Sequence, residues 1–465
     1  MSEPVAVILA AGQGTRMRSK RAKVLHPLCG QPMLRLVLDA VRRAGAARVI
    51  VVVGHQADQV RQAVARDDVE FAVQEQQLGT GHAVAQAKAV LDGYEGPLLV
   101  ACGDTPLLKP ETLAELIARH RRAQAAATVL SASVADPTGY GRIVRERGTG
   151  RLLRIVEHKD ATPEEATIRE INTGTYCFDA ASLFAALEKI RPDNAQGEYY
   201  LPDAVGVLVR EGATVEVVQA ADPVEVMGIN DRLELARAEA VVRRRIVDGW
   251  MRAGVTVMDP DTVYIDPQAQ IGPDTIIWPF TFILGTSAVG EDCRIGPHSQ
   301  VESSVIGPGS VVERSVVRQS RLGPACTVGP FAYLRPGTVL EEGAKAGSFV
   351  EIKQSIIGPG SKVPHLAYVG DAELGRDVNV GAGAITCNYD GVNKYRTVIE
   401  DGAFIGSNAN LVAPVRIGAR AYIGAGSTVS RDVSPDALAL ERAEQHEIPG
   451  WANRRRRKSS PQEAR

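Results

Sequence analysis

Residues 271–301 read IGPDTIIWPFTFILGTSAVGEDCRIGPHSQV, and this stretch decides the fold of the second half of the chain. An aliphatic residue recurs at every sixth position: Ile271, Ile277, Ile283, Val289, Ile295 and Val301. Hexapeptide repeats of this kind build parallel β-helices, in which each repeat forms one side of a coil and points its aliphatic residue inward. A glycine-rich sandwich would instead show alternation of period two and hairpin signals. The repeat therefore predicts a β-helix, whose narrow core suits a chain with only 5% aromatic residues.

A second run of the same period closes the repeat, and one polar segment interrupts it. The closing run places aliphatic residues at Ile405, Leu411, Ile417, Ile423 and Val429. The segment 386–396, which contains Asn388 and Tyr389, breaks the period before that run. Insertions in solenoids form loops on one face, often the binding face. We therefore expect this insertion to carry function.

The first half of the chain alternates short apolar runs with segments of helical spacing. The runs predict strands at Val5–Leu9, Val49–Val53, Glu70–Gln74, Leu98–Cys102 and Thr128–Ser133. The intervening segments predict helices at Leu34–Ala44, Gln56–Ala65, Ala83–Leu91 and Glu111–Arg122. This rhythm predicts a Rossmann-like α/β domain with a largely parallel, doubly wound sheet. Ligands of such sheets bind beyond the carboxyl ends of the strands, so the loops after the apolar runs are candidate sites.

These patterns divide the chain into four segments. We expect the α/β domain over residues 1–230 and a helical linker, rich in Ala, Glu, Leu and Arg, over 231–252. The β-helix follows over 253–445, and a basic, disordered tail over 446–465. The tail contains five consecutive basic residues, Arg454–Lys458, which favour a solvated segment; a weak anionic partner is the alternative.

The composition of the 465 residues excludes several classes of protein. Hydrophobic residues make up 45% and charged residues 23%, as in folded soluble proteins. A formal net charge of −2 argues against a nucleic-acid binder driven by bulk positive charge. No apolar stretch is long enough to span a bilayer, and no export signal is visible at the N-terminus. Six scattered cysteines without a C-x-x-C pair indicate reduced thiols in a cytoplasmic protein rather than a zinc or redox site.

The loop after the first predicted strand has the composition of a phosphate-binding loop. It reads AAGQGTRM over residues 10–17. Small residues let backbone N–H groups approach phosphates, and Arg16 and Lys23 supply positive charge where a triphosphate would lie. The loop is no dinucleotide fingerprint, because Met17 stands in the place of the third glycine. It is no Walker A loop either, because no Gly-Lys-Ser/Thr follows.

Motifs along the whole first half resemble those of sugar-nucleotide pyrophosphorylases. They are LAAGQGTRM at 9–17, KVLH at 23–26, Gln74, QLGTGHA at 77–83, CGD at 102–104, GYGR at 139–142, IVEH at 155–158, INTG at 171–174 and QGEYY at 196–200. A hexapeptide β-helix with His365 and Asn388-Tyr389 follows them. The chain thus resembles, up to about Arg442, the bacterial bifunctional N-acetylglucosamine-1-phosphate uridyltransferases and glucosamine-1-phosphate acetyltransferases. The resemblance also implies that the β-helix is left-handed.

For uridyl transfer, the resemblance implies a nucleotide site at the ends of the predicted strands. Lys23 would contact the nucleotide phosphates of UTP, and Arg16 would stabilise the α-phosphate and the departing pyrophosphate as a catalytic residue. No covalent nucleophile is needed, since the sugar-phosphate oxygen attacks the α-phosphorus in line. The remaining implied nucleotide-binding residues are Leu9, Ala10, Ala11, Gly12, Gln74, Gly79, Thr80, Cys102 and Gly103.

The resemblance also implies a metal site and a sugar site in the first half. Asp104 and Asn230 would hold Mg²⁺, which takes one or two carboxylates and leaves its other positions to phosphates and water. Gly141, Glu157 and Asn172 would hold the sugar. Taken alone, Asp104 could cap a helix and Glu157 could belong to a solvated charge cluster; their order along the chain favours the site.

Two positions in the first half depart from the family pattern. Ala22 stands where proline usually precedes the lysine, and Cys102 stands where tyrosine is usual. Neither departure removes a charge. They bear on the stiffness of a loop and on one backbone contact.

Acetyl transfer from a thioester to an amine needs a base and donors for the oxyanion. The resemblance implies that His365 is the base, although Pro364 departs from the small or flexible residue expected there and removes one N–H. Arg335, Lys353, Tyr368 and Asn379 would bind the acceptor sugar phosphate. The residues implied for acetyl-coenzyme A are Ala382, Asn388, Tyr389, Ser407, Ala425 and Arg442.

Two other functions stay open from the residues alone. One is a single-activity sugar-1-phosphate nucleotidyltransferase with a structural or regulatory β-helix, against which His365 and the insertion argue. The other is a non-catalytic assembly subunit of the translation-exchange-factor type, against which the intact Arg16, Lys23 and Asp104 argue. We therefore expect a bifunctional enzyme of UDP-N-acetylglucosamine synthesis for the cell envelope. The resemblance implies a homotrimer, and we expect it in the cytoplasm without a nucleic-acid partner.

Overall fold

The computed structural model describes residues 2–65, 69–91 and 93–459. It divides into two compact units, Met1–Arg245 and Ile246–Arg465. One helix, Arg232–Arg252, occupies the stretch in which the sequence predicts a linker helix.

The first unit is built on a nine-stranded mixed sheet with a small separate hairpin. Its strands are β1 (Val5–Ala10), β2 (Pro27–Leu28), β3 (Gln31–Pro32), β4 (Arg48–Val53), β5 (Val69–Val73), β6 (Pro97–Cys102), β7 (Ala127–Ser133), β8 (Gly141–Arg145), β9 (Leu152–Val156), β10 (Glu170–Asp179) and β11 (Val215–Gln219). The main path of the sheet is β11-β7-β10-β6-β1-β4-β5, with β8 and β9 attached to β10, and β2 pairs with β3. The five predicted strands are confirmed to within one or two residues.

Helices connect these strands. They are α1 (Met33–Arg43), α2 (Ala57–Val64), α3 (Thr80–Gln86), α4 (Lys88–Leu91), α5 (Pro110–Ala123), α6 (Pro163–Ala166), α7 (Ala180–Leu187), α8 (Leu201–Arg210) and α9 (Arg232–Arg252), with short 3-10 helices at Thr15–Met17, Lys23–Leu25 and Pro223–Val226. The predicted helices are confirmed, except that the segment 83–91 is divided between α3 and α4.

Helix α1 illustrates why these segments are helical. Leu34, Val37, Leu38 and Val41 follow the spacing i, i+3, i+4, i+7 and are at most 1% exposed. Each such burial contributes about 1.5–3 kcal/mol relative to exposure. Gly45, whose φ is 101°, follows the helix and adopts a conformation that side chains disfavour.

Strand β10 makes the sheet less parallel than predicted. It runs antiparallel between β6 and β7. Parallel neighbours need a crossover of a dozen or more residues, usually a helix. Here the chain leaves β7, forms the β8–β9 hairpin and the four-residue α6, and returns at the edge where β7 ended, so that Glu170 pairs with Ser133. The order of these elements therefore dictates the reversed direction.

The second unit consists of three parallel sheets, which we call the first, second and third faces. The first face contains Thr256–Val257, Ile276–Ile277, Arg294–Ile295, Val311–Val312, Thr327–Val328, Lys345–Ser348, Lys362–His365, Asn379–Val380, Phe404–Ile405, Tyr422–Ile423 and Leu438–Ala439. The second contains Tyr264–Ile265, Phe282–Leu284, Gln300–Glu302, Val316–Arg318, Tyr333–Leu334, Glu351–Lys353, Tyr368–Gly370, Ile385–Cys387, Asn410–Val412 and Thr428–Val429. The third contains Gln270–Ile271, Ala288–Val289, Val305–Ile306, Arg321–Leu322, Val339–Leu340, Ile356–Ile357, Ala372–Leu374, Thr397–Ile399 and Val415–Ile417.

Successive strands along the chain visit the three faces in turn, and each pairs with its equivalent in the next coil. This is the parallel β-helix that the hexapeptide period predicts. The aliphatic residues of the repeat fill its interior; Ile277, Ile283, Ile295 and Val301 have no exposed surface. Buried hydroxyls satisfy backbone groups between coils: Ser304 Oγ accepts from Ser320 N, on the next coil, at 3.1 Å.

The insertion and the tail have local structure of their own. Tyr389 and Lys394 form an antiparallel bridge, and Tyr395 N donates to Asn388 O at 2.8 Å, so the insertion closes at its base. In the tail, where we expect disorder, the structure has a helix, α10 (Trp451–Ser459). Arginine and lysine have high helix propensity, which favours this conformation in a basic segment. Residues 460–465 lie outside the described residues.

Among the described residues there is neither a disulfide bond nor a helix that could cross a bilayer. All six cysteines there are free; Cys102 and Cys387 are half-buried and the other four are buried. None of the helices in residues 2–65, 69–91 and 93–459 combines the length and apolar character that a bilayer crossing requires.

Candidate active sites

A cleft of about 480 Å³ lies at the carboxyl ends of β1 and β6 in the first unit. It contains eight of the residues implied for the nucleotide: Leu9, Ala11, Gly12, Gln74, Gly79, Thr80, Cys102 and Asp104. Gly103 N donates to Leu9 O at 2.9 Å, which joins the loops after the two strands. The cleft thus has the position that parallel α/β sheets give to ligands.

The wall of this cleft around Gly79 is held by backbone contacts. Gln74 Nε2 donates to Gly79 O at 3.0 Å. Gly79 has a φ of 108°, and a Cβ there would lie 2.6 Å from Tyr199 O. Only glycine fits both conditions.

Next to the cleft, four implied residues form a charged cluster. Lys23 Nζ donates to Asn230 Oδ1 at 2.8 Å and forms a short ion pair with Asp104. Arg16 donates to the same Asn230 oxygen at 2.9 Å. Asn230 lies 214 positions from Arg16, so the fold, not the local sequence, assembles this cluster.

The donor set of the cluster fits a hard divalent cation. Asp104 and Asn230 supply a carboxylate and an amide oxygen, the ligands that Mg²⁺ prefers. One ammonium group contacts both oxygens, which shows that they converge on a single cationic position. Among the described residues, no group of three or more His, Cys, Asp or Glu is arranged to hold a metal. The cluster therefore suits an ion that keeps most of its positions for phosphates and water.

The three residues implied for the sugar also meet. Asn172 pairs with Gly141 across β10 and β8, and a Cβ on Gly141 would lie 3.1 Å from Glu157 Oε1. Burial raises the pKa of Glu157 to about 7, and the carboxylates of Asp160 and Asp203 raise it as well. Perturbed carboxylates of this kind are typical of functional sites.

The thiol of Cys102, one of the two departures, stays protonated. Burial and the neighbouring Asp104 raise its pKa to about 12. Its sulfur lies 3.7 Å from Gly174 O. At neutral pH this thiol is no nucleophile, since the thiolate is the reactive form.

Four further residues line the cleft that the sequence analysis did not assign. They are Gln13, Gln77, Ala83 and Glu198. All four stand inside the quoted motifs, so the signal was present. Motif position alone did not distinguish side chains that face the cleft.

We number the corners of the β-helix by the faces that they join: the first corner joins the first and second faces, the second corner the second and third, and the third corner the third and first. Five residues stack at the first corner. The first-face register aligns Lys345, Lys362, Asn379, Phe404 and Tyr422 on successive coils. Three positions after each lie Ser348, His365, Ala382, Ser407 and Ala425, which we call the first-corner column. Backbone bonds follow it: Asn408 N donates to Ala382 O and Gly426 N to Ser407 O, both at 2.8 Å.

Pro364 does not displace His365 from this column. His365 pairs with Ser348, two residues after Val363 pairs with Ala346, so the register continues through the proline. Gly347 lies opposite; a Cβ there would come within 2.0 Å of Pro364 O. The side chain of His365 is exposed, as a base that meets a substrate must be.

Two cations implied for the sugar phosphate, Arg335 and Lys353, lie at or directly after the ends of second-face strands. Arg335 pairs with Glu351 at 2.8 Å, and Lys353 pairs with Asp371 at 3.1 Å. Asn388 donates a short hydrogen bond to the same Asp371 oxygen. Sequence reasoning missed Asp371 and Glu351, because neither stands in a motif that it quoted.

Four other implied residues lie elsewhere in the β-helix. Tyr368 begins a second-face strand beside Glu351, and Asn379 lies on the first face. Arg442 donates to Ala425 O at 3.1 Å, at the end of the first-corner column. Tyr389 is exposed on the insertion.

The structure does not bring all implied residues of the β-helix together within one chain. The first-corner column and the pair Lys353–Asp371 lie at opposite ends of the second face. His365 and Asp371, on the same coil, are separated by one complete second-face strand, Tyr368–Gly370. The implied residues therefore fall into two groups, one on each of these two corners.

Comparisons with known proteins agree with both units. Residues 6–198 match the family of MobA-like NTP transferase domains, and residues 396–431 match the bacterial transferase hexapeptide repeats. The hexapeptide match, with the three parallel faces, confirms a left-handed β-helix.

Full-length relatives carry the name bifunctional protein GlmU. Those of Halalkalibacterium halodurans and Heliobacterium modesticaldum are 52% and 54% identical, over 96% and 95% of this chain and 97% and 96% of theirs. That of Pelotomaculum thermopropionicum is 55% identical over 97% of this chain and 99% of its own. At this identity and coverage, the chain belongs to the bifunctional GlmU family.

Proposed function

We propose that the two units divide the two reactions of this bifunctional enzyme between them. As a GlmU protein, the chain is a uridyltransferase and acetyltransferase of UDP-N-acetylglucosamine synthesis. We assign uridyl transfer to residues 1–230 and acetyl transfer to residues 253–445. The product would feed peptidoglycan and lipopolysaccharide synthesis.

In the first unit, catalysis is the positioning and neutralisation of phosphate charge. The phosphate oxygen of N-acetylglucosamine-1-phosphate attacks the α-phosphorus of UTP in line, and pyrophosphate leaves. Lys23 moves its charge from Asp104 to the phosphates, and Arg16 stabilises the charge on the α-phosphate and the leaving group. The contacts of Lys23 and Arg16 with Asn230 support this assignment most strongly.

Asp104 and Asn230 would hold Mg²⁺, which when bound neutralises phosphate charge. Gly141 lets the sugar approach the backbone of β8. Glu157 would accept a hydrogen bond from one sugar hydroxyl, and Asn172 would donate a hydrogen bond to another. Gln74 and the Gly79–Thr80 turn would read the uracil and ribose of UTP through amide and backbone groups.

In the β-helix, His365 would take a proton from the ammonium of glucosamine-1-phosphate. The freed amine attacks the thioester carbonyl of acetyl-coenzyme A, and the thiol of coenzyme A leaves. Arg335 and Lys353 would hold the sugar phosphate, with Tyr368 and Asn379 on the sugar. Ala382, Ser407 and Ala425 would present a row of small side chains to acetyl-coenzyme A, whose phosphates would meet Arg442.

The two separate corners support a homotrimer. A neighbouring copy that presents its second corner to the first-corner column would complete the site with Lys353, Asn388 and Tyr389. A cytoplasmic enzyme is consistent with reduced, free cysteines.

The test offers purified enzyme UTP, ATP, GTP or CTP with N-acetylglucosamine-1-phosphate and Mg²⁺, and separately acetyl-coenzyme A with glucosamine-1-phosphate. We expect a clear preference for UTP in the first assay and thiol release in the second. If another nucleotide is preferred, the uridyl assignment fails. Without thiol release, the β-helix is structural and only the nucleotidyltransferase stands.

A further inference from the structure

Asp371, which the sequence analysis did not select, contacts two residues implied for acetyl transfer, Lys353 and Asn388. It lies on the second corner, between Lys353 on the preceding coil and Asn388 on the following one. One oxygen, Oδ2, accepts from both Lys353 Nζ, at 3.1 Å, and Asn388 Nδ2. The side chains of Lys353 and Asp371 are only 13% and 16% exposed. A half-buried charge-assisted contact of this kind fixes geometry more firmly than a surface pair.

The backbone of Asp371 also holds the insertion. Asp371 N donates to Lys353 O at 3.0 Å, and Asp371 O accepts from Thr397 N at 3.2 Å. Asn388 is the first residue of the insertion after the strand Ile385–Cys387, and Thr397 follows the last residue of the insertion. A single residue therefore binds both ends of the loop and the lysine beside it.

We infer that Asp371 is a positioning residue that couples the sugar-phosphate lysine to the insertion, and so the acceptor site to the acetyl-coenzyme A site. The inference rests on the proposed acetyl transfer. Lys353 must share its charge between Asp371 and a bound phosphate, so phosphate binding changes the group that orients Asn388. Binding of one substrate therefore changes the affinity for the other, because both substrates act on the contacts of the Asp371 carboxylate.

The test is steady-state acetyl transfer by full-length Asp371→Asn, with Asp377→Asn as the matched control. Asp377 is also an aspartate of the β-helix with a positive φ, 55° against 49° for Asp371, but it lies on the third corner. We expect Asp371→Asn to raise the KM for both glucosamine-1-phosphate and acetyl-coenzyme A about tenfold, the effect of losing a hydrogen bond to a charged group. Turnover should stay within about threefold, and the effects of Asp371→Asn and Lys353→Met on the KM for glucosamine-1-phosphate should combine less than additively in the double variant.

A merely structural role would lower stability and turnover without raising both KM values. If Asp371→Asn behaves like Asp377→Asn, the coupling is wrong. Should the wild type fail to acetylate at all, the proposed function fails instead. For the case that Asp371→Asn does not fold, hydrogen exchange of residues 388–396 in the wild type gives a second test. Glucosamine-1-phosphate alone should slow this exchange, and unchanged exchange would overturn the inference.

Discussion

The two candidate sites are assembled by different means within one chain. In the first unit, Arg16, Lys23, Asp104 and Asn230 come from loops far apart in sequence and meet through side-chain bonds. In the β-helix, the first-corner column arises from strand register, one residue from each coil. The first arrangement depends on the whole sheet, whereas the second depends on counting residues along a repeat. Substitutions should therefore separate the two activities cleanly.

The largest separation should come from His365→Ala. We expect acetyl transfer to fall about 10²–10⁴-fold, the usual contribution of a general base. Uridyl transfer to preformed N-acetylglucosamine-1-phosphate should stay at the wild-type rate. Thiol release and pyrophosphate release measure the two activities on one preparation. Wild-type acetylation by the variant would assign the base to another group.

Asp104→Asn tests the same comparison from the other site. We expect uridyl transfer to fall about 10²–10³-fold, since electrostatic stabilisation carries most of this chemistry. Acetyl transfer should be unchanged and serves as the control. Equal loss of both activities would identify Asp104 as a structural carboxylate.

A smaller effect, on the stability of the first unit, is expected for Glu157→Gln. The pKa of Glu157 is raised from 4.5 to about 7 in the folded protein. The folded state therefore holds this proton more tightly, and the resulting stabilisation is complete below about pH 4.5 and is lost as the pH rises through 7. Glutamine does not titrate, so the variant should gain about 3 kcal/mol on the wild type between pH 4.5 and pH 8.

Hydrogen exchange of the core strands of the first unit measures this difference. All three tryptophans, Trp250, Trp278 and Trp451, lie in the second unit, so their fluorescence reports on that unit as an internal control. The fluorescence signal should not distinguish the variant from the wild type. A constant difference at both pH values would mean that Glu157 titrates normally.

The smallest effect is expected for Ala22→Pro, which restores the usual family residue. Ala22 has a φ of −55°, which proline adopts without strain. Within the described part of the chain, nothing accepts a hydrogen bond from its N–H. The variant should be more stable by about 0.4–1 kcal/mol, because proline restricts the unfolded chain. Lower stability in the same exchange experiment would show that the pocket around Ala22 has no room for the ring.

The sequence predicts the β-helix better than the mixed sheet, for a physical reason. A period of six fixes both the strand positions and the inward residues, as Ile277 and Ile283 demonstrate. In the first unit, periodicity located β1, β4 and β6 but could not give the direction of β10, which depends on the path through a hairpin.

The sites show the same contrast. The motifs identified Lys23 and Asp104, yet the meeting with Asn230 needs the fold. The sequence did not predict Asp371 as a site residue. Its contacts with Lys353 and Asn388 join neighbouring coils, and a local motif does not predict such contacts. The helix in the tail escaped because a run of basic residues indicates solvation and says nothing about backbone conformation.

The first-corner column also fixes distances along the axis of the β-helix. Neighbouring coils of a parallel sheet are about 4.8 Å apart, so the three steps from His365 to Ala425 span about 14 Å. This length can change only in whole coils, because a strand cannot slip by part of a repeat without turning its aliphatic side chains outward. Removing one complete coil would shorten the column by about 4.8 Å and leave its remaining residues aligned. The distance between His365, the proposed base, and Ala425, at the far end of the column, is therefore a whole number of coils.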